Sequence, residues 1–200
     1  DDATKARYVA EATVLRTFYY NLLWKYWGNI PYYEKNLEAP YFTKQLTADE
    51  VYVKCVEGLE SVFEMDALPM RAVAGEEGRV TKAMAYMLYA EMVMYQNDET
   101  RYSKALGYME EIINSGQYAL VADYASIWLE TGEWNSESIW EINYISEGAV
   151  RSWGAPLATG GTVYPMLIGV TGAPAASGYV GGWGFGPVAP SAWEMFEEGD

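Results

Sequence analysis

The sequence predicts a mainly α-helical chain, with tetratricopeptide-like helix pairs followed by a loop-rich segment with a short strand or two. Apolar residues recur at three- and four-residue steps in four stretches before Gly116, the period of a helix with one buried face. Start and stop residues sit where those helices would begin and end. After Gly116 the period is lost and Gly and Pro crowd the chain. This division predicts a tetratricopeptide-like helical part at 1–116 and a loop-rich part of the same domain at 117–200, truncated at both ends.

The first helix is predicted from residue 4 to about 27, with Ala6, Val9, Ala12, Leu15, Tyr19, Leu22, Leu23 and Tyr26 on one face. Gly28-Asn29 stops it and Pro31 follows. Residues 30–46 hold two prolines and scattered aromatics and read as an ordered loop. Thr47, with Glu50 three residues on, has the pattern of a capping box and opens a second helix to about Met65. Leu68-Pro69 follows its end. A third helix runs from about Val80 to Tyr95, with Ala83, Met87, Ala90 and Met94 on one face. A fourth runs from about Tyr102 to Asn114, closed by Ser115-Gly116. The helices form two pairs of tetratricopeptide length without the 34-residue consensus, and such units stack in arrays.

Beyond Gly116, residues 124–129 read as a short helix. Residues 138–144 alternate apolar and polar and read as a strand. From Gly148 to Pro190 no period is sustained, over a length greater than a passive connection needs. A last short helix is predicted at Ala192–Glu198.

The balance of 13 basic against 28 acidic residues gives a net charge of −15. The basic residues are scattered, which excludes the cationic field that nucleic acid or an anionic membrane surface requires. No apolar run approaches the roughly 20 residues that span a bilayer. The polar start, Asp1-Asp2-Ala3-Thr4, is not a secretory signal. The single Cys55 lies in a helical pattern and reads as a buried small hydrophobe. Histidine is absent, which removes Ser-His-Asp and Cys-His catalysis, His-metal sites and the usual neutral general base. No cofactor and no metal are expected.

Aromatics carry the positive signal. There are 18 Tyr, 8 Trp and 5 Phe. Tyr and Trp suit surfaces where one face is apolar and one end is wet, so the excess points to a ligand surface. Trp24, Trp27, Trp128 and Trp140 lie on or beside regular elements and are assigned to the core. Trp153, Tyr164, Tyr179 and Trp183 lie in irregular sequence, where binding residues concentrate. They are the candidate ligand-stacking residues, with Arg151 and Asn143 near enough in sequence to supply polar groups. The doublets Glu76-Glu77, Glu110-Glu111 and Glu197-Glu198 point about 100° apart on a helix and do not make a facing acid pair. The glycine run at 178–186 lacks a Walker ending and a strand-to-helix setting. Its glycines instead let the backbone turn tightly around Trp183.

Several stretches together resemble the SusD/RagB family. The first helix is similar to the family's signature through Glu11, Ala12, Leu15, Arg16, Tyr19, Tyr20, Leu23, Gly28 and Pro31. Leu68-Pro69, Gly78 to Ala83 with Leu88, Ala90 and Tyr95, Ser115-Gly116 with Tyr118 and Leu120, Tyr124, and Asn135 to Trp140 follow in the family's order. Gly182-Trp183-Gly184, Pro190-Ser191 and Phe196 to Asp200 complete the match. The resemblance implies a tetratricopeptide-like scaffold with a loop-rich second half. It implies an outer-membrane, cell-surface lipoprotein whose anchor is not in this chain, and a SusC-type TonB-dependent transporter as partner. It also implies non-catalytic glycan binding. A peptide ligand on the same fold, a carboxylate-only glycoside hydrolase and a plain helical adaptor are the alternatives.

Overall fold

The computed structural model describes residues 1–144, 161, 164–172, 178 and 181–199. They fall into two compact units, Asp1–Glu141 and Ile142–Asp200.

Four helices build the first unit: α1 (Asp2–Trp27), α2 (Ala48–Met65), α3 (Lys82–Gln96) and α4 (Tyr102–Asn114). Their ends are set locally. The Asp1 carboxylate accepts from the Thr4 N–H at the start of α1, and Gly28 ends it at φ +66°, a backbone conformation that glycine adopts readily. At α2 the capping box forms in full, Thr47 Oγ1 accepting the Glu50 N–H and Glu50 accepting the Thr47 N–H. Thr81 caps α3, and Asp66 and Asn97 close α2 and α3 with the left-handed backbone that Asp and Asn tolerate. A single 3-10 turn, Glu99–Arg101, leads into α4.

Successive helices pack on one another, α1 on α2, α2 on α3 and α3 on α4. The core between them holds Val14, Trp24, Val51, Cys55, Leu59, Tyr89 and Met92. Cys55 is fully buried, and burial pushes its thiol up to about 12, as an inert packing residue requires. Between α1 and α2 the chain makes one short antiparallel clasp, β1 (Ile30–Pro31) with β2 (Gln45–Leu46). These are the strands of the described chain. Residues 138–144, read above as a strand, form none. Ile139 and Trp140 pack against the helices instead, and Trp140 Nε1 donates to the Gly78 carbonyl. Among the described residues no strand pairs with this segment.

The buried faces of two helices differ from the expected ones. On α1 the buried residues are Ala10, Val14, Thr17, Tyr20, Asn21 and Trp24, whereas Val9, Tyr19, Leu22, Leu23 and Tyr26 face outward. On α3, Met87 and Met94 are exposed while Leu88, Tyr89, Met92 and Val93 are buried. Both helices are apolar on more than one side, so periodicity does not single out the inner face.

Many tyrosines are core residues with the hydroxyl at the core's edge. The hydroxyls of Tyr52, Tyr86 and Tyr89 donate to Asp98, Glu111 and Glu60 at 2.9, 2.9 and 2.8 Å. Burial raises the pKa of all three phenols, and the neighbouring carboxylates add to the rise. The carboxylates give each buried ring the acceptor it needs, so part of the acidic excess serves the scaffold. Two further devices tie loops to it. Glu11 accepts two bonds from Arg79 and one from Arg7, and both arginines also pair with Glu76. Arg71 donates to the carbonyls of Gln117, Asn135 and Ser136 at 2.7, 2.6 and 3.2 Å, and lies 4.7 Å from the centre of the Tyr118 ring. Residues 124–129, expected as a short helix, contain a single 3-10 helix, Tyr124–Trp128.

The described part of the second unit is built differently. A short helix α5 (Tyr164–Ile168), not foreseen from the sequence, and the two residues after it accept backbone hydrogen bonds from residues 182–185. The last helix, α6, spans only Pro190–Trp193, shorter than expected, with Pro in its first turn.

Candidate functional site

Trp183 is held by backbone. The N–H groups of Gly182, Trp183, Gly184 and Phe185 donate to the carbonyls of Val170, Met166, Gly169 and Leu167 at 2.8–2.9 Å. The two glycines make that approach possible. A Cβ on Gly182 would stand 2.5 Å from the Gly169 Cα, and one on Gly184 would stand 2.4 Å from Thr171 Oγ1. Gly184 also has φ +70°, a conformation glycine adopts without strain. The expected tight glycine path around Trp183 is therefore present.

The indole is about half exposed, and the Phe185 ring meets it edge to face with centroids 5.8 Å apart. Tyr164, 65% exposed, opens α5, whose third residue, Met166, accepts the Trp183 N–H. Two of the four candidate stacking residues thus lie on one small backbone frame with their side chains open to solvent. The other two, Trp153 and Tyr179, lie outside the described residues, as does Arg151. Phe185 was not foreseen. The signal available was its place two residues after Trp183 in the same glycine-rich run.

A second aromatic surface lies on the helical unit. A groove of about 840 Å³ runs along the C-terminal half of α1 and is lined by Tyr19, Leu23, Trp27, Pro31 and Tyr33, with Arg16 within it. Trp27 was assigned to the core and is 67% exposed; Trp128 was assigned likewise and is 72% exposed. Trp24 and Trp140 do pack as expected, Trp24 against Tyr52 and Tyr95 and Trp140 against Phe18. The signal for the groove was the surplus of apolar residues on α1, more than one buried face can use.

Among the described residues, no helix is long and apolar enough to cross a membrane, and no group of three or more His, Cys, Asp or Glu side chains could hold a metal ion.

Packed helices followed by a small backbone frame that presents aromatic rings fit what the resemblance to SusD-like proteins implies, and comparison with known proteins supports that resemblance. The chain is 52% identical to surface glycan-binding protein A from Bacteroides thetaiotaomicron, solved in complex with laminarihexaose. The match has a TM-score of 0.88 and covers all of this chain and 42% of that one. Surface glycan-binding protein A from Bacteroides fluxus is 40% identical with a TM-score of 0.88, again over all of this chain and 42% of that one. A SusD-like protein of Formosa agariphila is 25% identical over 148 residues, 70% of this chain and 26% of that protein. No family model matches the sequence. The chain is a homologue of SusD-like proteins, and it spans about two fifths of each of these solved relatives and about a quarter of the curated one.

Proposed function

We propose that this chain is part of a cell-surface protein that captures oligosaccharide or polysaccharide and delivers it, chemically unchanged, to a SusC-type TonB-dependent transporter. The observation that carries the reading is Trp183, an indole left about half open on a hydrogen-bonded backbone frame. A flat ring offers an apolar face to the apolar face of a sugar, while neighbouring polar groups meet the hydroxyls. The likeness to a protein solved with laminarihexaose supports the same reading. Tyr164, Tyr179 and Trp153 are proposed to contribute further rings, and Phe185 to hold the Trp183 indole in place. The proposed location is the outer face of the outer membrane, through a lipid anchor outside this chain.

Binding is tested in the complete gene product, by calorimetry with laminarihexaose and by affinity electrophoresis in laminarin. Trp183→Ala is expected to weaken binding at least about tenfold, or about 1.4 kcal/mol, with an unchanged circular dichroism spectrum. Unaltered affinity would remove Trp183 from the site. Release of reducing sugar by the purified protein would overturn the non-catalytic part of the proposal.

A further inference from the structure

The loop after α4 is built on the same plan as the stretch that carries Trp183. Its 3-10 helix, Tyr124–Trp128, is followed at once by a second 3-10 turn, Glu130–Gly132. Main-chain and short polar groups tie the two together. The Asp123 carboxylate accepts the Ala125 N–H at 3.1 Å, and the Ser126 hydroxyl donates to the Asp123 carbonyl at 2.7 Å. The N–H groups of Leu129 and Gly132 donate to the carbonyls of Ser126 and Leu129 at 3.2 and 2.8 Å. The Asn135 amide donates to the Gly132 carbonyl at 2.7 Å. Here too a glycine permits the close approach, since a Cβ on Gly132 would stand 2.1 Å from the Ser126 carbonyl oxygen. Arg71 fixes both ends of the loop through the Gln117, Asn135 and Ser136 carbonyls.

The rings on this frame stand outside it. Tyr124 and Trp128 are 70% and 72% exposed. Their centroids lie 5.9 Å apart with the planes at 74°, against 5.8 Å and 73° for Trp183 and Phe185. Rings this exposed bury little apolar surface and add little to folding. Held edge to face, they instead form a fixed, angled aromatic surface. Both rings carry a polar group that can bond at a wet edge, the phenol of Tyr124 and the indole N–H of Trp128. Exposed Glu130, Thr131 and Glu133 follow directly in the chain. Carboxylates and a hydroxyl beside open rings suit a neutral sugar, whose C–H faces meet the rings and whose hydroxyls donate to the acids. An anionic ligand is not suited, because residues 119–133 hold Asp123, Glu130 and Glu133 and no Lys or Arg.

We propose that Tyr124 and Trp128 form a second glycan-binding platform, for neutral sugars, carried by the helical unit and independent of Trp183. It rests on the glycan reading above and adds a site to it. Each of the two compact units then presents one ring pair of matching geometry on a hydrogen-bonded frame. A polysaccharide meets either platform without the other, so loss of Trp183 leaves binding that loss of Trp128 removes.

The test uses the complete gene product, unsubstituted and as Trp183→Ala, in hydroxyl-radical footprinting with and without saturating laminarin. Tyr124 and Trp128 are expected to oxidise readily in the free protein and to be protected by laminarin in both proteins. In affinity electrophoresis through laminarin, the residual retardation of Trp183→Ala is expected to be lost when Trp128→Ala is added. Slow oxidation of Tyr124 and Trp128 without glycan would overturn the proposal, because the rings would then be covered by protein. So would laminarin protection of Trp183 that leaves Tyr124 and Trp128 unprotected, or equal retardation of the single and double variants. Protection of the pair that vanishes with Trp183→Ala would make the two rings part of the Trp183 site and overturn their independence. Protection at neither site would overturn the glycan reading itself, and the platform with it.

Discussion

In α1 to α4, side chains join the elements. Leu59, Tyr89 and Val14 are fully buried between helices whose backbones are already satisfied internally. In the stretch from Tyr164 to Phe185 the main chain joins them. Four N–H groups meet four carbonyls, two glycines remove the side chains that would keep the backbones apart, and Trp183 and Phe185 remain open to solvent. The contrast separates two tasks. Packed side chains give stability but are used up as contact surface. A frame of main-chain bonds leaves its side chains free to present.

The comparison can be broken at its strongest point first. Leu59→Ala leaves a cavity in the helical core and is expected to cost about 3 kcal/mol, measured by urea denaturation. A loss below 1 kcal/mol would mean that the core is not what holds the helices. Next, Gly182→Ala forces a Cβ onto the Gly169 backbone and is expected to destabilise the frame by about 2 kcal/mol. Hydrogen exchange should quicken at 182–185 while the amides of α2 and α3 are unchanged, and faster exchange in α2 and α3 as well would dissolve the distinction between the two regions.

A smaller effect sharpens the picture inside the helical unit. The Asp98 carboxyl is held down to about 2, mainly by the Thr100 hydrogen bonds and then by Arg101 and the Tyr52 hydroxyl. Its unfolded value is about 3.9. The folded pKa is the lower one, so this group's stabilisation is complete above about pH 4 and is lost as pH falls through about 2. Asp98→Asn is expected to cost about 1.5 kcal/mol at neutral pH and to flatten the acid limb of the stability curve. An acid limb unchanged by the substitution would show that the turn before α4 does not depend on that charge.

Most of the helical scaffold was legible in the sequence. Thr47 with Glu50 names the start of α2 because both halves of a capping box are local. The faces of α1 and α3 were not legible, because Tyr19, Leu23, Met87 and Met94 continue the apolar pattern past the buried side. Residues 138–144 alternate like a strand, but pairing needs a second strand, and no local pattern encodes that. Helix α5 has five residues, too few to show a period. At the candidate site the glycine path around Trp183 could be read, since close backbone approach leaves glycine as its trace. The exposure of Trp27 and Trp128 could not, because being near a regular element does not say which way a ring points.

Arg71 has a consequence for how this fold can diverge. Its guanidinium reads carbonyl oxygens at Gln117, Asn135 and Ser136, and every residue type supplies those. The path of the loop is therefore anchored independently of the side chains displayed along it. Substitutions between 119 and 133 can rewrite that surface while its course over the helices stays put, whereas exchange of Arg71 for lysine, with no planar fork, would release several anchor points at once.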